Sequence, residues 1–389
     1  MSAPVIQGWC PGALRPMMSG DGLVVRVRPR GGRLTPEQAK GIAELSARYG
    51  NGLIDLSARA NVQLRGVSEA AHGALIAGLA ALGLIDETAE AEARRNIVVT
   101  PFWHEGDGVQ GIARALAAAL AAPDAPQTPG KFGYAIDCGA EPVLQGVSAD
   151  IRIEAAPGGF CVRPDGAATG AFASAETVAG RALDLARWFL GTGGAPAGRG
   201  RMAAHLAAGV PLPDPFRAVT VSPGAATDAP VPGPTPLGCL VGVEFGQVSA
   251  DTLSALSGCG ALRVTPWRML LIEGADAVPD LPGLISEPAN PLLRVSACTG
   301  APGCPQAHVA TRALARALGR SLPTGLDLHV SGCAKGCAHP GPTSLALVGR
   351  AGGTVDLVRD GTTTDTASAC GLDPAALTLS SLIEIEDAS

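Results

Sequence analysis

The order strand, helix, strand that opens this chain returns after its midpoint, and a chain written twice from one pattern has few ways to fold. The first copy starts with a strand-like Gly22-Leu-Val-Val-Arg-Val-Arg-Pro29 and a helix opened by Thr35-Pro36-Glu37. A second strand over 53–67, interrupted by polar residues, and a helix over 68–83 follow. The second copy has a strand over 239–244, a helix start at Ser249-Ala-Asp-Thr-Leu and a strand over 261–272. Residues 56–66 lie over 264–274 with polar, apolar and Gly positions in step. Downstream, 95–100 parallels 293–298, and 130–138 parallels 325–333.

Gly and Pro are densest between 210 and 238, so 211–238 reads as a linker. The expected units are small α+β domains at 1–85 and 239–286, and mixed α/β domains at 86–210 and 287–389. Only the second half carries a full cysteine set. One active centre is therefore expected at the seam between halves, not one per half.

With 389 residues, 47% of them hydrophobic, the chain can bury a substantial core. Charged residues make up 16% and the net charge is -6, which argues against a nucleic-acid partner. Residues 1–12 lack a basic segment leading into an apolar one, and apolar runs elsewhere are short and broken by Arg or Pro. A cytoplasmic protein with no membrane partner is expected. In that setting the 10 cysteines point to a metal or redox site sooner than to a disulfide framework.

Four of them cluster, as Cys298-Thr-Gly-Ala-Pro-Gly-Cys304 and Cys333-Ala-Lys-Gly-Cys337, with a helix predicted over 306–318 and a strand between the pairs. Four thiolates are the usual ligand number of a 4Fe-4S cubane. The interspersed glycines let the backbone turn tightly and aim amide N–H groups at the inorganic core. A structural zinc or ordinary buried thiols are the plainer readings, although zinc sites more often use two-residue spacers in both pairs. Cys10, Cys138, Cys161, Cys239, Cys259 and Cys370 stand singly and read as small buried hydrophobes.

The Cys298-Thr-Gly-x3-Cys304 and Ser331-Gly-Cys333-x3-Cys337 pair, the duplicated layout, and Ser57-x-Arg59-x-Asn61-x-Gln63 resemble the nitrite/sulfite reductase superfamily over nearly the whole chain. Within it, Cys333-Ala-Lys335-Gly-Cys337-Ala-His339-Pro-Gly-Pro and Val264-Thr265-Pro266-Trp267-Arg268 look most like the precorrin-3B synthase family. The resemblance implies an internally duplicated α+β fold of ferredoxin-like half-domains and two mixed α/β cluster-type domains. It also implies a 4Fe-4S cluster on Cys298, Cys304, Cys333 and Cys337, a mononuclear non-haem iron, and an external electron donor, a reductase or a ferredoxin. The implied reaction is oxidation of precorrin-3A by dioxygen at the meso carbon between rings A and D, with γ-lactone formation, in aerobic cobalamin biosynthesis. The alternative is a sirohaem-dependent sulfite or nitrite reductase. Those enzymes carry a Lys-x-Lys pair where this chain has Lys131-Phe132-Gly133, and they are longer.

A precorrin is a polycarboxylate, so its pocket needs Arg and Lys. Arg59, Asn61, Gln63 and Arg65 alternate along a predicted strand and would share one face. Arg263 and Arg268 stand in the duplicate, and Lys131 and Lys335 add two more cations. Arg26, Arg28 and Arg30 read equally well as a solvated strand edge. For dioxygen chemistry the candidate catalytic imidazoles are His104, in Trp103-His104-Glu105-Gly-Asp107, and His339; Glu105 and Asp107 read equally well as a polar loop ahead of a helix at Val109.

Overall fold

The computed structural model describes residues 11–139, 141–220 and 229–384, so Cys10 and the middle of the expected linker lie outside it. Thr35 caps the helix Pro36–Tyr49 through a reciprocal box: its Oγ1 accepts from Gln38 N at 3.2 Å, and Gln38 Oε1 accepts from Thr35 N at 3.0 Å. Ser68 caps Glu69–Ala81, and Ser249 caps Ala250–Ser257 by accepting from Thr252 N at 3.0 Å. Repeated capping chemistry thus marks the same corner of both copies.

The two strands expected at 53–67 and 261–272 are hairpins instead. Leu53–Leu56 pairs antiparallel with Val62–Val67, and Leu262–Val264 with Met269–Glu273. Their turns match residue for residue. Ser57 Oγ accepts from Asn61 N at 3.2 Å, and Thr265 Oγ1 accepts from Met269 N at 3.3 Å. Ala60 (φ 53°) answers Arg268 (φ 60°), and Gly66 (φ 70°) answers Gly274 (φ 69°). Because the left-handed residue of each turn carries a side chain, no Asn-Gly or Gly-Gly signal announces it.

The hairpins sit in two antiparallel sheets. The first runs Met17–Ser19, Gly22–Val27, Val62–Val67, Leu53–Leu56 and Gln247–Ser249. The second runs Gly233–Thr235, Gly238–Val243, Met269–Glu273, Leu262–Val264 and Arg33–Leu34. Each repeat therefore lends a short strand to the other's open edge: Val248 pairs with Ile54, and Leu34 with Leu262. Ile42, Ile54 and Leu64 from one copy and Val241, Leu253 and Ile272 from the other are buried in one shared core.

Two further sheets share a strand order. One is Ile97–Val99, Tyr134–Asp137, Ile151–Ala156, Gly159–Pro164 and Thr169–Ala173, extended by Val219–Thr220. The other is Val295–Ala297, Leu328–Ser331, Thr343–Gly349, Val355–Gly361 and Ala369–Leu372. In each, the first three strands are parallel and the rest antiparallel. Ile97 pairs with Tyr134 as Val295 pairs with Leu328, and Tyr134 and Leu328 both enter the apolar cores beneath their sheets. Tyr134 thus corresponds to Leu328, and the sequence overlay of 130–138 on 325–333 is one residue out.

Other expectations also shift. The helix expected over 306–318 spans Arg312–Gly319. Both ends of the expected linker are built into the fold: Phe216 is buried in the first α/β core, and Gly233–Thr235 pairs with Gly238–Val243. Among the single cysteines, Cys161 and Cys239 are buried, Cys138 is half-buried, and Cys259 and Cys370 are exposed. Among the described residues no helix is long and apolar enough to cross a membrane.

Candidate cluster and substrate site

Val295–Ala297 and Leu328–Ser331 are adjacent parallel strands, so the loops leaving their carboxyl ends emerge side by side, where open α/β sheets place ligands. One loop carries Cys298 and Cys304, the other Cys333 and Cys337. Cys298 N donates to Val330 O at 3.3 Å, and His308 N ties the first loop to Gly332 O at 2.8 Å. Gly332 N donates to Cys298 Sγ at 3.2 Å, the kind of amide contact that steadies a thiolate. A Cβ at Gly332 would stand 2.6 Å from Ala307 Cβ, so the approach of the two loops needs glycine there.

The four thiols sense one another. Burial raises the Cys337 pKa; Lys335 opposes this, while Cys298, Cys333 and Cys304 push it further up. The Cys337 residue keeps an exposed surface although its sulfur is largely enclosed. All four thiols are free. Among the described residues no three His, Cys, Asp or Glu side chains converge tightly enough to hold a single metal ion. Four thiolates are the donor set of a cubane, and spacers of five and three residues are less usual for zinc.

The first sheet turns a polar face to these loops. Arg65 N–H groups donate to Asp21 (2.7 Å), Asp55 (3.2 Å), Ser19 Oγ (3.2 Å) and Gly303 O (3.3 Å). Burial disfavours its charge, but Asp21 and Asp55 outweigh that and raise its pKa above the usual arginine value. Asp55 also accepts from Gln247 Nε2 (2.8 Å) and Arg312 Nη2 (3.2 Å), joining both repeats and the cysteine-bearing unit. Gln63 Oε1 accepts from Arg26 Nη2 at 2.6 Å. Asn61 is buried and its Nδ2 lacks a partner among the described residues. Arg59 lies in the hairpin turn, not on the strand; its Nη2 donates to the carbonyl of exposed Lys131 at 3.1 Å.

In the second repeat the Asp55–Arg65 ion pair reappears with its signs exchanged, as Arg263–Glu273 (2.6 Å). Arg263 Nη1 donates to Pro101 O (2.7 Å) and Trp103 O (2.6 Å), and its guanidinium lies 3.7 Å from the Trp103 ring centroid. Burial lowers its pKa more than Glu273 restores it. Arg263 and Arg268 do not share a site. Arg268 is half-buried, with Nη2 donating to Ser296 Oγ (2.9 Å) and Ala338 O (3.0 Å). Arg26, Arg28 and Arg30 are not a solvated edge as a group: Arg28 is buried against Glu92 at 2.7 Å, and only Arg30 is exposed.

The imidazoles are also separated. His104 is exposed in a cleft of about 930 Å³ lined by Arg33, Trp103, Asp107, Arg114, Arg263 and Glu273, with no cysteine in its wall. Asp107 accepts from His104 N (2.6 Å) and Val109 N (2.9 Å), which makes this segment a capped loop. His339 instead stacks edge-on to His329, ring centroids 6.0 Å apart. Sequence reasoning missed His329. It is fully buried on an interior strand, among the described residues both ring nitrogens lack partners, and burial, with His339 and Arg268 adding, lowers its pKa to about 4. A polar residue on the alternate face from Leu328 and Val330 was the available signal.

Residues 15–82 match the model of the nitrite/sulfite reductase ferredoxin-like half domain. A precorrin-3B synthase of Sinorhizobium sp is 31% identical over 391 residues, spanning 90% of this chain and 82% of that protein. The solved NirA protein of Mycobacterium tuberculosis superposes with a TM-score of 0.57 at 18% identity, over 91% of this chain and 78% of that one, a likeness of fold.

Proposed function

The chain belongs to the precorrin-3B synthase family of cobalamin biosynthesis, and from that premise we propose that it hydroxylates precorrin-3A with dioxygen at the meso carbon between rings A and D, with γ-lactone formation. The observation that most supports this is the meeting of both cysteine loops at neighbouring strand ends, beside a polar sheet face from the other half of the chain. In this reading Cys298, Cys304, Cys333 and Cys337 hold a 4Fe-4S cluster. When bound, it supplies single electrons from an external donor, a reductase or a ferredoxin.

Arg59, Lys131 and Lys335 are the candidates for the substrate carboxylates, because their charged ends remain at least partly exposed. Gln63, half-buried and held in place by Arg26, is the neutral hydrogen-bonding group of this edge, while Asn61 lies buried behind it. A mononuclear iron fits less well: His329 and His339 stand together, but the described residues bring no third donor to them, and His104 lies elsewhere.

The test is anaerobic purification with iron, sulfide and EPR analysis, then incubation with precorrin-3A and labelled dioxygen. About four iron and four sulfide per chain are expected, with label in the product and the EPR signal lost in Cys298→Ser. Sirohaem absorption together with sulfite reduction, and no turnover of precorrin-3A, would transfer the chain to the reductase reading.

A further inference from the structure

We propose that Arg65 and Arg268 are positioning residues of the cluster, one from each repeat, each gripping the carbonyl next to the last cysteine of one pair. Arg65 takes Gly303 O, immediately before Cys304. Arg268 takes Ala338 O, immediately after Cys337. The four thiolates then come into register only once both repeats are docked against the cysteine-bearing sheet. This rests on the cluster reading above.

The first grip is a triple one, since Gly303 O also accepts from Ser19 Oγ (2.8 Å) and Gly20 N (3.2 Å). Three donors from the first repeat thus converge on one carbonyl of the cysteine loop, two of them within ordinary hydrogen-bond length and Arg65 at 3.3 Å slightly longer. The second grip uses the left-handed residue of the hairpin turn, Arg268 at φ 60°, whose Nη2 also donates to Ser296 Oγ at 2.9 Å. Neither grip has a copy in the other repeat. Arg65 corresponds to Glu273, which cannot donate to a carbonyl, and Arg268 corresponds to Ala60, which cannot reach one. Two unduplicated devices serving the one unduplicated cysteine set argue for a joint purpose.

Their electrostatics differ. Arg65 is neutralised by Asp21 and Asp55 and acts by geometry. Arg268 has no carboxylate partner among the described residues, and the charge acting on it is another cation, Arg312. A half-buried cation next to the Cys337 loop, without a carboxylate partner among the described residues, favours the more negative, reduced cluster.

The experiment compares anaerobic wild type with Ser19→Ala, Arg65→Lys, Arg268→Lys and Arg268→Met in chelator-driven iron release, EPR-monitored redox titration and steady-state kinetics on precorrin-3A. Ser19→Ala and Arg65→Lys are expected to release iron at least threefold faster at unchanged potential. Arg268→Met lowers the potential enough to change the reduced-to-oxidised ratio about tenfold, which is about 59 mV for one electron. Arg268→Lys restores it, and KM for precorrin-3A stays within about twofold throughout. Iron release at the wild-type rate, with KM raised in both lysine variants, would overturn the proposal and return both arginines to substrate binding. If Arg268→Met cannot hold iron, Ser19→Ala and the two lysine variants still decide the matter. A wild type without iron and sulfide sinks the cluster reading itself, a different outcome.

Discussion

Replacing His329 by leucine puts a number on the enclosed imidazole beside Arg268 and His339. The unfolded chain protonates this residue near 6.5; the folded protein resists until about 4, because burial penalises the charged ring and both neighbours add to the penalty. Between those two values the unfolded state binds more protons, so stability falls as pH falls. The gap, at 1.36 kcal/mol per pH unit, amounts to about 3.4 kcal/mol once pH is below 4, of which about 2 kcal/mol accrues between pH 7.5 and 5. Urea unfolding of wild type and His329→Leu at both pH values, under anaerobic conditions, reads this directly. At pH 7.5 the leucine variant should lie within about 1 kcal/mol of wild type, since it loses two ring nitrogens that have no partners. At pH 5 it should have escaped about 2 kcal/mol of the wild-type loss. Equal losses in the two proteins would refute the reasoning and mean that His329 is already hydrogen-bonded or charged.

Asp55→Asn removes a carboxylate shared by Arg65 and Arg312; because Arg65 keeps Asp21, the cost should be about 2–3 kcal/mol, below the about 3–5 typical of a severed buried pair. Calorimetry should show a melting point lower by several degrees, and an unchanged one would count against the hub. Tyr134→Phe deletes a buried hydroxyl without a partner and should leave stability equal or up to about 1 kcal/mol higher in urea titrations; a clear loss would reveal a hydrogen bond there. Gly332→Ala drives a methyl into Ala307 and displaces the amide that meets Cys298, so iron per chain should fall by more than half, and full iron content would contradict the loop geometry.

Much of this was legible in the sequence because its signals are local. The hydroxyls of Thr35, Ser68 and Ser249 announce helices, whereas the turns that Ser57 and Thr265 open lie inside stretches that read as single strands. The lending of Arg33–Leu34 and Gln247–Ser249 across the repeats was not, since two- and three-residue strands carry no periodicity to detect. The arginines were the hardest residues to read. From sequence, Arg65, Arg263 and Arg268 look like equal cations, but their partners are chosen by tertiary contacts: Gly303 for one, Trp103 for another, Ala338 for the third. His329 escaped because a lone histidine in an apolar strand looks like filler until its nitrogens are seen to be without partners.

The exchange of edge strands has a consequence for the lineage of the chain. Cut anywhere near its middle, it would give two fragments, each with a sheet lacking its outermost member and carrying the strip that belongs to the other. Neither fragment would be a finished protein, yet mixed together they should find each other. That is how a pair of identical ancestors embracing as a symmetric dimer would look after their genes were joined end to end, with the embrace kept and the symmetry given up where one half alone carries the paired cysteine loops.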